Sequence, residues 1–406
     1  MLLKNGFICD FSHNQKADLR IEGGQIVEID AQISAKIQEE VIDCAEKIII
    51  PALIDLNVYP KTKTLSQKTL TSLSKKAIKG GVATMLVLPD TFPACENEAI
   101  IELIKSIQST IEVNIIPSIK PINAEEKLNN ISILHSQGGR AIYIDSSIDG
   151  NNLLRITQYA HMLEIPIICF AQDSQIANGV VNEGELASKL GLPSISPLSQ
   201  TKEIAKISEV ARYTNTQFLF STLTEPEGLE IVDYFRNNKN ANINVQTSIH
   251  HLILDESAIQ RYNTRAKLNP PLKDDDSKQK LLEALKNNKI DMLTSLQCAD
   301  FNSKKDQVFE LASFGIDAIS YYFPLAYTYL IKTGVLDMSS FVKMSSKNQS
   351  DFLGLNKGEI SLGKDADLAI IDLHGHTQIT DSFSPYYNQT LSSKIDSVII
   401  GGKIYE

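Results

Sequence analysis

Several features that would assign the protein to a particular functional class are missing from this sequence. It has no uninterrupted apolar run of about 18 residues and no charged start followed by a short apolar segment, so we expect neither a membrane span nor a secretory leader. It also has no basic stripe, since the formal net charge is -10 and acidic and basic residues are interspersed. This distribution argues against nucleic acid or an anionic membrane surface as the main partner. We therefore expect a cytoplasmic protein.

Internal repeats and low-complexity tracts are absent as well, and cysteine is scarce. The five cysteines show no CxxC spacing, and an odd, unpatterned number suits free thiols in a reducing compartment. Buried small apolar side chains are the simplest interpretation of all of them. They are Cys9, Cys44, Cys95, Cys169 and Cys298.

The chain does contain enough apolar material for a large core, because 43% of its 406 residues are hydrophobic. Strand-like apolar runs alternate with helix-period segments such as 69–80 and 277–287, which is the pattern of βα units around a parallel sheet. With the stretch from Ile48 to Pro60 these runs make eight strands, enough to close a (β/α)8 barrel of the TIM type. The other runs are 83–88, 113–118, 140–144, 166–170, 216–220, 243–247 and 291–294.

Both ends of the chain show the alternating pattern of short strands. The pair Gly23-Gly24 joins two such segments near the N-terminus, and the pattern returns in 366–372 and 395–405 near the C-terminus. The two ends are therefore expected to build one small β domain. We predict that residues 1–50 and 355–406 form this composite domain, and that residues 51–354 form the barrel.

A series of short motifs runs through the chain in order, beginning with Pro51-x-Leu53-Ile54-Asp55. The later members are Leu88-Pro89-Asp90-Thr91-Phe92-Pro93, Phe170-Ala171-Gln172-Asp173, Phe220-Ser221-Thr222, His250-His251-Leu252, Asn269-Pro270-Pro271-Leu272-Lys273 and Gly363-Lys364-Asp365-Ala366-Asp367-Leu368. The series resembles that of the dihydroorotases, within the cyclic amidohydrolase superfamily, and in particular its noncatalytic dihydroorotase-like members. The resemblance covers essentially the full chain. It implies a (β/α)8 barrel flanked by a β domain.

The resemblance also implies a metal site. In that family a divalent metal, usually zinc, is held by histidines, and it activates the water that attacks the cyclic amide of dihydroorotate. At the first-strand histidine positions this chain has Asn57, a neutral amide, and Tyr59, a phenol that is a poor ligand near neutrality. Phe170 and Leu219 replace the next two histidines. We therefore expect no zinc and no other cofactor, and we expect Phe170 and Leu219 to pack together in the place of the metal.

The acid/base position is altered too. The resemblance places Ser295 where the family has the aspartate that transfers the proton, and a hydroxyl without a nearby base cannot replace it at neutral pH. The group that bridges two metals aligns with either Asp145 or Asp149, and the spacing does not decide between them. One remaining carboxylate would not hold zinc.

The positions that contact substrate in the family are only partly retained. The resemblance places Lys61 where an arginine binds the substrate carboxylate, and Asp90 where an asparagine stands, whereas Asn269 is unchanged. We expect these three residues and His250 to line a vestigial pocket that binds anions weakly. The pair His374 and His376 follows a terminal strand, and an exposed loop is its simplest interpretation.

Three functional hypotheses follow. The favoured one is a noncatalytic dihydroorotase homologue of pyrimidine biosynthesis that acts as a structural or regulatory partner of aspartate carbamoyltransferase, a partner implied by the resemblance alone, in a homo- or hetero-oligomer. The alternative is a divergent dihydroorotase or cyclic amidohydrolase that uses a remaining carboxylate. Its candidates are Asp90, Asp145, Asp149 and Asp173. The third is a sensor of pyrimidine precursors that uses the vestigial pocket.

Overall fold

Short strands open the chain, as their alternating pattern predicts. The computed structural model describes residues 1–406. Its first strands are Leu2–Lys4 (β1), Phe7–Cys9 (β2), Asn14–Lys16 (β3), Asp18–Glu22 (β4), Gln25–Asp30 (β5), Val41–Asp43 (β6) and Ile48–Pro51 (β7). Strands β4 and β5 pair antiparallel across Gly23 and Gly24. The φ angles of these glycines, 59° and 80°, lie in the left-handed region that glycine adopts without steric cost.

Ten strands follow, and eight of them form the barrel. They are Leu53–Val58 (β8), Val82–Val87 (β9), Asn114–Ile119 (β10), Ala141–Asp145 (β11), Ile167–Phe170 (β12), Val181–Asn182 (β13), Ser194–Ile195 (β14), Phe218–Phe220 (β15), Ile243–Ser248 (β16) and Met292–Thr294 (β17). The barrel order is β8-β9-β10-β11-β12-β15-β16-β17, and every neighbouring pair is parallel. A parallel bridge between Val58 and Gln297 connects β8, the first barrel strand, to the segment just after β17, the last one.

Helices alternate with the barrel strands, as the βα pattern predicts. They are Gln67–Lys79 (α1), Glu98–Gln108 (α2), Ile131–Ser136 (α3), Gly150–Leu163 (α4), Glu185–Leu190 (α5), Leu198–Thr214 (α6), Pro226–Lys239 (α7), Ile249–Ile253 (α8), Asp275–Lys286 (α9), Asn302–Lys305 (α10), Tyr322–Ala326 (α11), Met338–Val342 (α12) and Asn348–Leu353 (α13). None of these helices combines the length and the apolar character that crossing a bilayer requires.

Three C-terminal strands complete the β domain. They are Leu368–Gln378 (β18), Thr390–Ile400 (β19) and Lys403–Tyr405 (β20). They join the N-terminal strands in a six-stranded sheet of order β20-β19-β18-β7-β2-β3, and a four-stranded sheet has the order β5-β4-β1-β6. Buried side chains from both sheets, including Leu19 and Ile370, form one apolar cluster between them.

The stretch from Ile48 to Pro60 is divided between the two parts of the chain, and the single strand predicted from its apolar run is wrong. Strand β7 pairs with β18 in the terminal sheet, whereas β8 begins the barrel. The backbone N–H of Ala52 donates to the backbone oxygen of Asp367, and that of Leu53 donates to the backbone oxygen of Gly81, immediately before β9. The backbone therefore changes its hydrogen-bonding partner within two residues.

The predicted (β/α)8 barrel with a β domain is confirmed, because each predicted barrel run overlaps a strand of the barrel. Its interior is filled by aliphatic side chains, among them Ile54, Leu86 and Ile168. Gly80 allows close packing at the end of α1, since a Cβ there would lie 1.7 Å from the backbone oxygen of Ile319.

Candidate functional site

A cavity of about 560 Å³ opens at the C-terminal ends of the barrel strands. This is the end at which barrel enzymes carry their active sites. Six residues singled out in the sequence line it, namely Asn57, Tyr59, Asp90, Asp145, Phe170 and Asn269. Four others do not, namely Lys61, Leu219, His250 and Ser295.

Asn57 and Tyr59 reach the cavity from the end of β8. Nδ2 of Asn57 donates to Ser221 Oγ at 2.7 Å and to Thr222 Oγ1 at 3.1 Å. Burial raises the pKa of Tyr59 well above its usual value. The phenol therefore stays protonated at neutral pH, and neither residue supplies an anionic or imidazole ligand.

Phe170 and Leu219 do not form the joint apolar filling that the sequence predicts. Leu219 is fully buried in the barrel interior, in a cluster that contains Ile168. Phe170 is partly exposed, lines the cavity and is not part of that cluster. The reason is the strand register, because Leu219 pairs with Ile168 and not with Phe170. Leu219 therefore lies deeper along the barrel than Phe170.

Ser295 is fully buried and bound to the barrel wall. Its backbone N–H and its hydroxyl both donate to Oδ2 of Asp55. Thr294 Oγ1 donates to Oδ1 of Asp55 at 2.6 Å, and the backbone N–H of Asn57 donates to it at 3.1 Å. These contacts tie β8 to the end of β17. Because the Ser295 hydroxyl proton is engaged with Asp55 and the side chain does not line the cavity, it cannot transfer a proton to a bound ligand.

The structure distinguishes between Asp145 and Asp149, the two aspartates that align with the family's bridging group. Asp145 ends β11 and lines the cavity. Burial raises the pKa of Asp145 above its usual value. Asp149 instead caps α4, where its Oδ1 accepts from the backbone N–H groups of Asn151 and Asn152, each at 3.0 Å. Of these two aspartates, only Asp145 lines this cavity.

The ammonium group at the cavity belongs to Lys63, and the prediction of Lys61 is wrong. Strand β8 ends before these residues, and a 3₁₀ turn over 61–63 follows it. The turn directs Lys61 towards Phe301, with its Nζ 5.6 Å from the ring centre. It brings Nζ of Lys63 to 4.2 Å from the centre of the Tyr59 ring. Counting residues along an extended strand could not show this turn.

His250 belongs to the core, and its predicted place in the pocket is wrong. Its Nδ1 accepts from the Tyr386 hydroxyl at 2.8 Å, and its Nε2–H donates to the backbone oxygen of Ser295 at 3.1 Å. Nε2–H of His251 donates to the backbone oxygen of Pro270 at 3.0 Å. Burial lowers the pKa of His250 to about 3 and that of His251 to about 4. Both imidazoles are therefore neutral at neutral pH.

Asp90 and Asn269 line the cavity as predicted. Asp90 accepts from Lys120 Nζ at 2.8 Å, and Asn269 Oδ1 accepts from Gln172 Nε2 at 3.2 Å. The lining includes three carboxylates, those of Asp90, Asp145 and Asp300, against the single ammonium of Lys63. This charge repels an anionic substrate.

The donor groups do not fit the zinc ion that the resemblance implies. Zinc requires imidazole, thiolate or carboxylate ligands grouped around one point. Nowhere in residues 1–406 do three or more His, Cys, Asp or Glu side chains come together in such a group. The histidines His374 and His376 are no exception to this. Both are exposed residues within β18, so the exposed loop that the sequence predicts for them is wrong. No catalytic step through a metal follows from these residues.

Solved structures of similar fold place the barrel among those of the hydantoinases. L-hydantoinase (dihydropyrimidinase) from Arthrobacter aurescens superposes with a TM-score of 0.88 at 19% identity, over 99% of this chain and 95% of that one. A D-hydantoinase superposes with a TM-score of 0.84 at 20% identity, over 99% and 94% of the two chains. At this identity the likeness defines the class of fold alone.

Sequence similarity defines the family. The profile of the amidohydrolase family matches residues 193–405, and the dihydro-orotase-like profile matches residues 46–227. A protein of Helicobacter pylori named "Probable dihydroorotase-like protein" is 31% identical, with 99% of this chain and 97% of that protein covered. The dihydroorotase of Elusimicrobium minutum is 28% identical, with 99% and 96% covered. The chain belongs to the amidohydrolase family, as a dihydroorotase-like member, and the resemblance stated from its motifs is confirmed.

Proposed function

We propose that this protein is a noncatalytic dihydroorotase homologue, and that it serves pyrimidine biosynthesis as a structural or regulatory partner of aspartate carbamoyltransferase. One observation supports the noncatalytic part of this proposal. The five positions of the metal ligands and the acid/base group hold an amide, a protonated phenol, two apolar side chains and a hydroxyl that donates to Asp55. None of these groups binds zinc or accepts a proton at neutral pH.

The contacts of these residues support the same proposal. Asn57 is hydrogen-bonded to Ser221, and Leu219 is packed in the barrel interior. Ser295 helps to close the barrel through Asp55. A barrel whose ligand positions are already satisfied in this way does not need an ion to be stable. Retaining the fold without its chemistry is what a role in assembly requires.

The proposed partner comes from the resemblance, and the surface is compatible with a protein partner. A shallow groove is lined by apolar side chains that include Leu192, Tyr262 and Val308. Val308 and Tyr262 are exposed, and the neighbouring Leu311 is 74% exposed. Exposed apolar groups collected in one place are typical of interaction surfaces.

Mixing this protein with the aspartate carbamoyltransferase encoded in the same genome is expected to give a joint complex. Its mass by light scattering should exceed that of either protein, and the carbamoyltransferase should change in thermal stability or activity. Leu311→Glu is expected to weaken the complex, because it buries a charge in an apolar contact. Ile37→Glu, at a site that is 96% exposed, is the matched control. Unchanged mass, stability and activity on mixing would contradict the proposed partnership.

A divergent hydrolase is the second candidate, and Asp145 is the observation that favours it. This carboxylate lines the cavity, and burial raises its pKa, as is common for general acids and bases. The other candidates are engaged elsewhere: Asp90 pairs with Lys120, Asp149 caps α4 and Asp173 pairs with Lys202. Hydrolysis of dihydroorotate or a hydantoin that disappears in Asp145→Asn would establish this candidate.

A further inference from the structure

A second cavity of about 530 Å³ lies beside the first, and both are lined by Asp90, Tyr143 and Asp145. We call the two together the cleft. Asp300 lines only the first cavity, and Asp149 lines only the second. The cleft is therefore extended, with carboxylates in its middle and in each of its two parts.

The charge of the cleft is negative. Its lining contains five carboxylates, which include that of Glu126 in the second cavity, and two ammonium groups, those of Lys63 and Lys120. Lys120 already pairs with Asp90. The carboxylates of Asp145 and Asp300 are left to attract a cation, and the partly enclosed walls strengthen that attraction relative to bulk water.

An acceptor without a donor also faces the cleft. The side chain of Asn57 is buried, with 6% of the residue exposed, and it lines the first cavity. Both of its hydrogen bonds to protein side chains are made by Nδ2, so Oδ1 has no protein donor. This carbonyl oxygen remains accessible from the cleft and is free to accept a hydrogen bond. A ligand N–H in the cleft would satisfy it.

The walls of the cleft suit an organic cation better than a hydrated ion. Tyr59, Tyr143, Phe92, Phe170 and Phe314 supply aromatic surface. Ammonium groups are attracted to the faces of such rings. The Nζ of Lys63, 4.2 Å from the Tyr59 ring centre, shows that this wall accepts an ammonium group.

We propose that the cleft binds a linear organic polycation, an aliphatic di- or polyamine. Its ammonium groups would lie at Asp145, Asp300 and the Oδ1 of Asn57, and its methylene chain would pack on the aromatic walls. The anionic pyrimidine precursors of the sensor hypothesis would meet an excess of carboxylates in the same place. The proposal concerns a ligand of the barrel itself, so its test does not depend on whether the protein binds the carbamoyltransferase.

Calorimetric titration of spermidine into the full chain at low ionic strength tests this proposal. We expect saturable binding of one spermidine per chain. Asp145→Asn should weaken it by about tenfold, which corresponds to the loss of one partly buried charge contact. Lys63→Gln should tighten it several-fold, because a competing like charge is removed. Asp276→Asn, at an exposed residue of α9 outside the cleft, should leave it unchanged.

Four outcomes would overturn the proposal. They are the absence of saturable heat, equal weakening by Asp145→Asn and Asp276→Asn, equal displacement of spermidine by MgCl2 at the same concentration, and tighter binding of dihydroorotate than of spermidine. Thermal unfolding of each variant would reveal whether Asp145→Asn is still folded. If it is not, the tighter spermidine binding expected in Lys63→Gln still tests the proposal.

Discussion

Replacing Lys273 by methionine is expected to lower the free energy of unfolding by about 3 to 5 kcal/mol. Nζ of Lys273 donates to Asn182 Oδ1 at 2.9 Å and to the carboxylate of Glu225. All three side chains are buried. Without the ammonium group, the Glu225 carboxylate would remain buried with no opposite charge. Denaturant-induced unfolding of the two proteins measures the difference.

The double variant Lys273→Met with Glu225→Gln separates the charge effect from the loss of packing. It should recover much of the stability, because no uncompensated charge is left in the core. Lys280→Met is the matched control, since Lys280 pairs with Asp276 on the exposed face of α9 and such pairs contribute at most about 1 kcal/mol. Equal losses in Lys273→Met and Lys280→Met would contradict the buried ion pair.

Acidification from pH 7 to pH 5 is expected to remove about 4 kcal/mol of stability, about 2 for each of His250 and His251. Their pKa values are about 3 and about 4 in the folded protein, against an ordinary value of 6.5. Between these values the unfolded chain binds up to two more protons than the folded chain. The contribution of the two neutral histidines to the free energy of unfolding is therefore fully present above pH 6.5 and is lost as the pH decreases. Unfolding curves at several pH values would measure this loss.

The dependence on the two histidines has its own control. His251→Gln should reduce the slope of stability against pH between 7 and 5 by about half, because one of the two titrating groups is removed. His374→Gln should leave the slope unchanged, since His374 is exposed on β18. A wild-type stability that stays constant over this pH range would contradict the neutral, buried state of both histidines.

The barrel could be predicted from the sequence because its strands are fully buried. Strands covered on both faces form continuous apolar runs, and those runs alternate with helix-period segments. The change of sheet at Ala52 could not be predicted, because β7 and β8 are both apolar and only the hydrogen bonds to Asp367 and Gly81 separate them.

The candidate site was predictable where residues end a strand, and less so elsewhere. Asn57 and Phe170 line the cavity because β8 and β12 end at the barrel mouth. Lys63 was missed because the turn after β8 is not visible as a pattern. His250 was misplaced because its partner, Tyr386, lies 136 residues away along the chain. The pair of Lys273 with Glu225 has the same long-range character.

Zinc content and dihydroorotate hydrolysis, measured together on the purified full chain, test the central claim most directly. The dihydroorotase of Elusimicrobium minutum, prepared identically, is the positive control. After incubation with zinc and removal of the excess, we expect far less than one zinc per chain and no hydrolysis above background, because the donor groups at the cavity do not fit the ion. Stoichiometric zinc together with turnover of dihydroorotate would contradict the noncatalytic assignment.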